Sequence, residues 1–123
     1  MNKLKYLARI GAEPDHLEPT EEVLRFLQLK HLLSVPFENL DIHWKRPIVL
    51  DVERFCEKIV DRRRGGFCYE LNGLFNELLK SLGFRTRLIS ARVFNGTGHG
   101  PEYDHAANIA SIAMLRGIAS CVR

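Results

Sequence analysis

Hydrophobic residues recur at helical spacing through the first part of the chain and at strand spacing after it. Over residues 20–83 apolar positions return every three or four residues, as on the buried face of a helix. Residues 85–94 alternate polar and apolar side chains and are rich in strand formers, which is typical of a half-buried strand. The pattern predicts an α+β fold, with a helical bundle over residues 1–83 and strands over residues 84–123.

Capping residues and helix breakers set the expected boundaries of the first two helices. Thr20 is a candidate N-cap for a helix that runs to about Leu33 and is stopped by Pro36, because the residue before a proline avoids helical backbone angles. Asp51 is the candidate N-cap of a second helix that ends near Asp61. Its apolar stripe is Val52, Phe55, Cys56, Ile59 and Val60. The position of Cys56 within this stripe favours a buried small hydrophobe with no part in the chemistry.

A third helix and a strand pair are expected beyond this point. The helix should begin near Cys68 and end before Gly83, since glycine is favoured just after a helix C-terminus. Its stripe consists of Leu71, Leu74, Phe75, Leu78, Leu79 and Leu82. A glycine-rich turn over residues 95–101 precedes a predicted return strand from about His105 to Met114.

Composition and charge restrict the class of protein. The 123 residues are 46% hydrophobic and 27% charged, which is ordinary for one soluble globular domain. A net charge of +3 argues against a dedicated nucleic-acid binder. Basic residues interrupt the apolar residues of the first eleven positions, and no apolar run approaches the length of a membrane span, so we expect neither a signal peptide nor membrane insertion. The three cysteines are widely spaced and odd in number, which favours reduced thiols in the cytoplasm.

The stretch Arg64-Gly-Gly-Phe-Cys-Tyr-Glu-Leu-Asn72 holds the most informative chemistry. Two glycines allow a tight turn before Cys68, which falls in the first turn of the third helix. Helix N-termini favour a thiolate, the nucleophilic form of cysteine, and the arginines at positions 62–64 add positive charge. The residues alone leave two interpretations open: Cys68 is a nucleophile for covalent catalysis, or it fills space at a helix start.

A cysteine nucleophile needs an imidazole as its base, and the chain has five histidines: His16, His31, His43, His99 and His105. His105 is the best candidate, because it stands at the start of a predicted strand that would hold its ring. His31 lies within an amphipathic helix, where a structural or surface role is expected. A zinc site is disfavoured because no two potential ligands show the spacing of a metal site.

Three segments in order resemble the arylamine N-acetyltransferase family. Residues 64–72 are similar to the active-site signature of that family, and Ser34-Val-Pro-Phe-Glu-Asn-Leu-Asp41 resembles a second family segment upstream of the nucleophile. Pro101-Glu-Tyr-Asp-His105 corresponds to the segment where the family carries its catalytic histidine. The resemblance implies a cysteine-protease-like core: a helical bundle with Cys68, then the first strands of an incomplete β-barrel, without the C-terminal lid.

The resemblance also implies a reaction and its participants. Cys68 would take an acetyl group from acetyl-CoA as a thioester and pass it to an arylamine, a hydrazine or a related amine, with His105 as the base. Phe37, Phe67 and Tyr69 would line the acceptor pocket, and Arg64 would support the site structurally or electrostatically. No metal, nucleic acid or membrane is implied.

The match to the family fails after His105. The family completes a Cys-His-Asp triad one hairpin later, whereas residues 106–123 contain no Asp or Glu. Asp104 is a poor substitute, because neighbouring strand residues point to opposite faces. We therefore expect a truncated, frame-shifted or naturally short form, whose unfinished sheet permits self-association. Three hypotheses stand: an impaired N-acetyltransferase, a catalytically inactive remnant or interaction module, and a thiol hydrolase.

Overall fold

The described part of the chain, residues 1–112 and the backbone of residues 119–122, forms helices followed by an antiparallel sheet in a computed structural model. The helices are α1 (Lys3–Ile10), α2 (Glu21–Ser34), α3 (Leu40–His43), α4 (Val52–Cys56), a π-helical turn (Glu57–Asp61) and α5 (Cys68–Ser81). The strands are β1 (Arg85–Ala91), β2 (His105–Ser111) and β3 (Ala119–Val122). The predicted α+β class is confirmed, and none of the helices described here is long and apolar enough to cross a membrane.

The predicted caps of the first two helices are present. Thr20 Oγ1 accepts a hydrogen bond from the backbone N–H of Val23 at 3.2 Å, and α2 ends at Ser34, two residues before Pro36. Asp51 Oδ1 accepts from two backbone N–H groups of α4, each at 3.1 Å. These side chains satisfy amide groups that have no partner within their own helices, which is why the helices begin there.

The second half of the second predicted helix differs from the expectation. The α-helix stops at Cys56, and the chain continues as a π-helical turn, in which Arg62 N–H donates to the carbonyl of Glu57, five residues earlier, at 2.9 Å. The prediction of an α-helix as far as Asp61 was therefore wrong in its last turn. Ile59 and Val60 remain buried in this wider turn, so the apolar stripe is preserved although the hydrogen-bonding pattern changes.

Helix α5 lies at the centre of the hydrophobic core. Leu74, Leu78 and Leu79 are completely buried, and they share the core with the other helices and with the start of the sheet. The remaining core residues are Tyr6, Leu7, Ile10, Ala12, Leu24, Leu27, Val35, Phe55, Cys56, Ile59, Val60, Phe75, Phe84 and Ala110. The predicted stripe of the third helix is confirmed in its middle, while its two ends are only partly buried. Cys56 is a buried free thiol, as expected.

The sheet has the order β1-β2-β3, and neighbouring strands are antiparallel. In the pairing of β1 with β2, Arg85 lies opposite Ser111 at one end and Ala91 lies opposite His105 at the other. Strand β1 ends three residues before the predicted end at residue 94. The chain turns into a loop there, in which Gly100 N–H donates to the carbonyl of Val93 at 2.7 Å. Strand β2 begins at His105 as predicted and ends at Ser111; the predicted end at residue 114 lies outside the described residues.

Candidate active site

The loop before Cys68 is packed directly against the segment that contains Phe37. Gly66 N–H donates to the carbonyl of Pro36 at 3.3 Å, and Glu38 N–H donates to the carbonyl of Gly66 at 2.9 Å. A Cβ atom at Gly65 would lie 2.0 Å from the carbonyl oxygen of Pro36, so only glycine fits at this position. The first glycine of the signature thus serves a close approach between two segments of the chain, and it ties residues 36–38 to the start of α5.

Cys68 is the first residue of α5, and its side chain is a free thiol that is 6% exposed. In the same turn, Glu70 Oε2 accepts a hydrogen bond from the backbone N–H of Phe67 at 3.1 Å and so caps the helix. The remaining unpaired N–H groups of the first turn, together with the helix dipole, favour negative charge at this end. This is an environment in which a cysteine can serve as a thiolate nucleophile.

Arg64 is held by two carboxylates of the upstream segment. Its Nη1 donates to Asp41 Oδ1 at 2.9 Å, and its Nη2 donates to Glu38 Oε1 at 2.8 Å. The guanidinium also lies 5.6 Å from the ring centroid of Trp44. Arg64 therefore links the approach to Cys68 with residues 38–44.

Lys58 completes a group of five charged residues that we call the charge cluster: Glu38, Asp41, Lys58, Arg64 and Glu70. Lys58 Nζ lies 2.7 Å from Asp41 Oδ2 and 2.9 and 2.8 Å from the two oxygens of Glu70. Its hydrogen bond to Asp41, together with that from Arg64, holds the pKa of this carboxyl below its ordinary value despite partial burial. Burial opposes the charge of Lys58, but hydrogen bonds to Asp41 and Glu70 outweigh it and raise the pKa of the ammonium.

Lys58 carries no signal in the sequence that marks it as part of the site. Glu38, Asp41 and Glu70 stand inside the segments that carry the family resemblance, whereas Lys58 lies between them in a stretch with no motif. A charged residue between the apolar positions of a helix is ordinarily solvated, and only the packing of the π-helical turn against α5 shows that this one is not. The available signal was the acidic excess within the two motifs, which requires a compensating cation.

His105 opens β2, and two hydrogen bonds bring that end of the strand to the first turns of α5. Tyr69 Oη donates to the carbonyl of Tyr103 at 2.5 Å, and Asn72 Nδ2 donates to the carbonyl of Ala106 at 2.8 Å. Cys68 and Asn72 are four residues apart and thus share one face of α5. The predicted nucleophile and the predicted base therefore stand on two elements that meet at the same corner of the molecule, with the His105 side chain half-buried.

A buried set of amides, which we call the amide ladder, continues this contact: Asn72, Asn76 and Asn108. Asn76 Nδ2 donates to Asn108 Oδ1 at 2.8 Å, and Asn108 Nδ2 donates to the carbonyl of Asn72 at 2.9 Å. Asn108 is 1% exposed, and with Ala106 and Ala110 it forms the face of β2 that is buried against the helix. The ladder fixes the register of β2 along α5.

No acid orients the His105 ring within residues 1–112. No side-chain carboxylate in this part of the structure makes a hydrogen bond to its imidazole. Asp104 is turned to the preceding loop, since a Cβ atom at Gly100 would lie 2.7 Å from its Oδ2. Among these residues there is also no group of three His, Cys, Asp or Glu side chains placed to hold a metal ion.

The aromatic residues expected around the acceptor occupy two places. Phe67 and Tyr69 are in ring contact, with centroids 5.6 Å apart. Tyr69 also lines a half-open groove of about 420 Å³ between α4, α5 and β1, with Leu50 and Phe55 on its apolar wall. Phe37 is 65% exposed and joins the site through the backbone pairing of its neighbours with Gly66.

Comparison with known proteins gives consistent matches over this architecture. A family model described as N-acetyltransferase matches residues 20–114. A Salmonella typhimurium relative named arylamine N-acetyltransferase / N-hydroxyarylamine O-acetyltransferase is 46% identical over 88 residues, which are 72% of this chain and 31% of the relative. The structure of Mycobacterium marinum arylamine N-acetyltransferase in complex with CoA superposes with a TM-score of 0.84 and 35% identity, covering 94% of this chain and 44% of that one. A Bacillus cereus arylamine N-acetyltransferase, described as having a Cys-His-Glu catalytic triad, has a TM-score of 0.81 and 31% identity, covering 90% and 45% of the two chains.

These matches cover 72% to 94% of this chain but less than half of each relative. The family model includes all of the segments on which the site rests, from α2 through the charge cluster and Cys68 to His105. The fold, the order of the motifs and the matched residues lead to one conclusion. The chain belongs to the arylamine N-acetyltransferase family.

Proposed function

We propose that this chain is an acetyl acceptor that uses Cys68 as its nucleophile, with arylamine N-acetyltransferase activity as its reaction. The Cys68 sulfur would attack the acetyl carbonyl of acetyl-CoA, and the CoA thiolate would leave with the bond between sulfur and carbon broken. An arylamine or hydrazine nitrogen would then attack the thioester, lose its proton and regenerate the Cys68 thiolate. The observation that carries the proposal is the position of Cys68, a free thiol at the capped start of α5.

We assign the role of base to His105. The hydrogen bonds from Tyr69 and Asn72 to the start of β2 support this role, because they hold the strand beside the first turns of α5, the helix that begins with Cys68. Ala106 and Asn108 occupy the face of β2 that is buried against α5, and His105 takes the alternate position. The proposed pairing therefore requires the His105 imidazole to extend past the N-terminal end of α5 to reach the Cys68 thiol.

Turnover is expected to be weak because the imidazole lacks an orienting acid in this chain. Residues 106–123 contain neither Asp nor Glu, so these residues supply no counterpart of the family's Asp after the histidine, nor of the Glu in the Bacillus cereus relative's described triad. Loss of the orienting carboxylate in a comparable triad lowers the rate about 10⁴-fold. This absence also favours the second candidate function, a catalytically inactive form or an interaction module that retains the helical bundle.

The remaining assignments follow from the family and from the local geometry. We place the acceptor beside Phe37, Phe67 and Tyr69, with Arg64 supporting the site through its carboxylate partners. We further propose that the helical part, residues 1–83, and the part from residue 84 onward correspond to the bundle and the first barrel strands of a cysteine-protease-like core. The free thiols at Cys56 and Cys68 are consistent with a cytoplasmic location, which is part of the proposal.

Release of CoA from acetyl-CoA, measured with and without an arylamine, tests these assignments. We expect about one equivalent of CoA per chain, lost in Cys68→Ala and retained in Cys56→Ala, with slow further release when the amine is added. The matched histidine pair is His105→Gln, which should slow acylation, and His99→Gln, which should not.

Each alternative gives a different result in the same assay. Sustained release without amine indicates a thiol hydrolase, and no acylation of Cys68 supports the inactive form. Rapid amine-dependent turnover would show that an acid from elsewhere in the chain, or from a partner subunit, completes the site.

A further inference from the structure

We propose that Lys58 is a positioning residue for Cys68, because its ammonium neutralises the Glu70 carboxylate that caps α5, the helix that begins with Cys68. The inference rests on the proposed role of Cys68 as the nucleophile. It concerns a residue outside the sequence motifs, on the π-helical turn, whose side chain is 12% exposed.

Lys58 joins three carboxylates that come from two distant parts of the chain, residues 38–41 and helix α5. Its Nζ lies 2.7 Å from Asp41 of α3, 2.8 Å from Glu70 of α5 and 3.6 Å from Glu38, which lies just before α3. All three carboxylates are largely buried, with side-chain exposures of 5% to 15%. Such contacts fix the positions of these segments relative to one another.

The two cations of the charge cluster, Lys58 and Arg64, bind different sets of carboxylates. Arg64 bonds to Glu38 and Asp41, whereas the hydrogen bonds of Glu70 go to Lys58 and to the backbone N–H of Phe67. Lys58 is thus the cation that Glu70 contacts in the described part of the chain. The cluster holds three carboxylates and two cations, so removal of Lys58 changes its net charge from about −1 to −2.

An unpaired Glu70 would act directly on the nucleophile. Glu70 is two residues from Cys68 in the same helical turn. Its carboxylate accepts a hydrogen bond from the backbone N–H of Phe67, the residue before Cys68. A second negative charge in this turn opposes the thiolate, because both compete for the same N–H groups and dipole. Other titratable and charged groups also lie on the elements packed at this corner. They are Tyr69 and Glu70 of α5, the other members of the charge cluster (Glu38, Asp41, Lys58 and Arg64), and Tyr103 and His105 at or near the start of β2. Of these, Lys58 is the one whose charge Glu70 requires.

The pH dependence of Cys68 alkylation by iodoacetamide, followed by mass-spectrometric mapping, tests the inference. In Lys58→Met we expect the midpoint of the rate profile to move up by about one pH unit, a roughly tenfold slower labelling below the midpoint. Lys58→Arg should restore the wild-type profile. The matched control is Lys80→Met near the other end of α5, since Lys80 pairs with Glu77 at 2.7 Å on the exposed surface and its loss should leave the profile unchanged.

A double variant separates charge from structure. Lys58→Met/Glu70→Gln removes both charges, so the midpoint should return to the wild-type value even though the contact is lost. Glu70→Gln alone should lower the midpoint, and this variant decides the question if Lys58→Met does not fold. A folded Lys58→Met with the wild-type profile, or a double variant that remains shifted, would overturn the inference. Failure of the proposed function is seen separately, as a reactive Cys68 that accepts no acetyl group from acetyl-CoA.

Discussion

The two sides of the proposed site are held in place by different kinds of interaction. On the helical side, Cys68 follows a glycine turn and stands on α5, whose leucines are completely buried. On the sheet side, His105 begins a strand whose buried face consists of Ala106, Asn108 and Ala110. Large aliphatic side chains anchor the first side, whereas small residues and amide hydrogen bonds anchor the second.

This difference indicates where the site is robust and where it is sensitive. A helix anchored by aliphatic burial tolerates the loss of one polar contact, because the hydrophobic contribution is distributed over many atoms. A strand whose position depends on Asn72, Asn76 and Asn108 responds to the loss of any one of them. The placement of His105 should therefore be easier to disturb than that of Cys68.

The largest expected effect is truncation of the α5 core. Leu78→Ala should lower the free energy of unfolding by about 2–5 kcal/mol, because it leaves a cavity at a completely buried position. Leu88→Ala on β1, at a position that is 43% exposed, should cost less than about 1 kcal/mol. Urea denaturation of both variants measures the contrast. Equal losses would show that the sheet side is packed as tightly as the helices.

The second effect is a pH dependence of stability within the helical side. His31 is 6% exposed, its Nδ1 lies 2.9 Å from Tyr6 Oη, and burial together with the charge of Arg9 lowers its pKa from 6.5 to about 4. The unfolded chain therefore binds this proton first as the pH falls, so the stabilisation is complete above about pH 6.5 and is lost between about 6.5 and 4.

Between pH 7 and pH 5 this linkage should cost about 2 kcal/mol of unfolding free energy. His31→Gln should lose that much less than the wild type over the same interval, as measured from urea midpoints at both values of pH. His43→Gln, at an exposed position of α3, is the control and should follow the wild type. A wild-type chain with no greater pH dependence than His31→Gln would contradict a neutral, buried His31.

The third effect concerns the amide ladder. Asn108→Ala should reduce stability by about 1–3 kcal/mol, because it leaves the Asn76 amide buried without its partner. It should also slow the acylation of Cys68 by acetyl-CoA, since the register that brings His105 to α5 is weakened. Asn76→Leu/Asn108→Leu should recover much of the stability without restoring the acylation rate. Recovery of both would mean that the ladder contributes only to stability.

The smallest effect is expected at Thr86 in β1. Its hydroxyl oxygen is buried and has no hydrogen-bond partner in the described part of the chain. Thr86→Val removes this polar atom while keeping the shape, so it should raise the free energy of unfolding by about 1 kcal/mol. Thr97→Val, in the exposed loop, should give no gain because it removes a hydroxyl that donates to Asn95. A destabilised Thr86→Val would show that the hydroxyl has a partner.

Much of the fold could be predicted locally. The caps at Thr20 and Asp51 and the apolar stripe of α5 depend on residues within one or two turns of each other, so spacing alone indicated them. The π-helical turn after Cys56 could not be predicted, because its wider hydrogen bonds are stable only in the context of the packed core. The early end of β1 likewise depends on how the loop after it closes.

The sequence by itself determined which residues are the candidates for chemistry. Cys68, His105 and Arg64 stand in motifs that predict their roles. The absence of any acid over residues 106–123 can also be read directly from the sequence. Only the tertiary structure decided how these residues are supported: that Gly65 accommodates the carbonyl of Pro36, and that Lys58 bonds to Glu70 close to Cys68. The physical reason is that motifs and periodicity report local preferences. Ion pairs and close backbone contacts between distant segments depend instead on the packing of the whole chain.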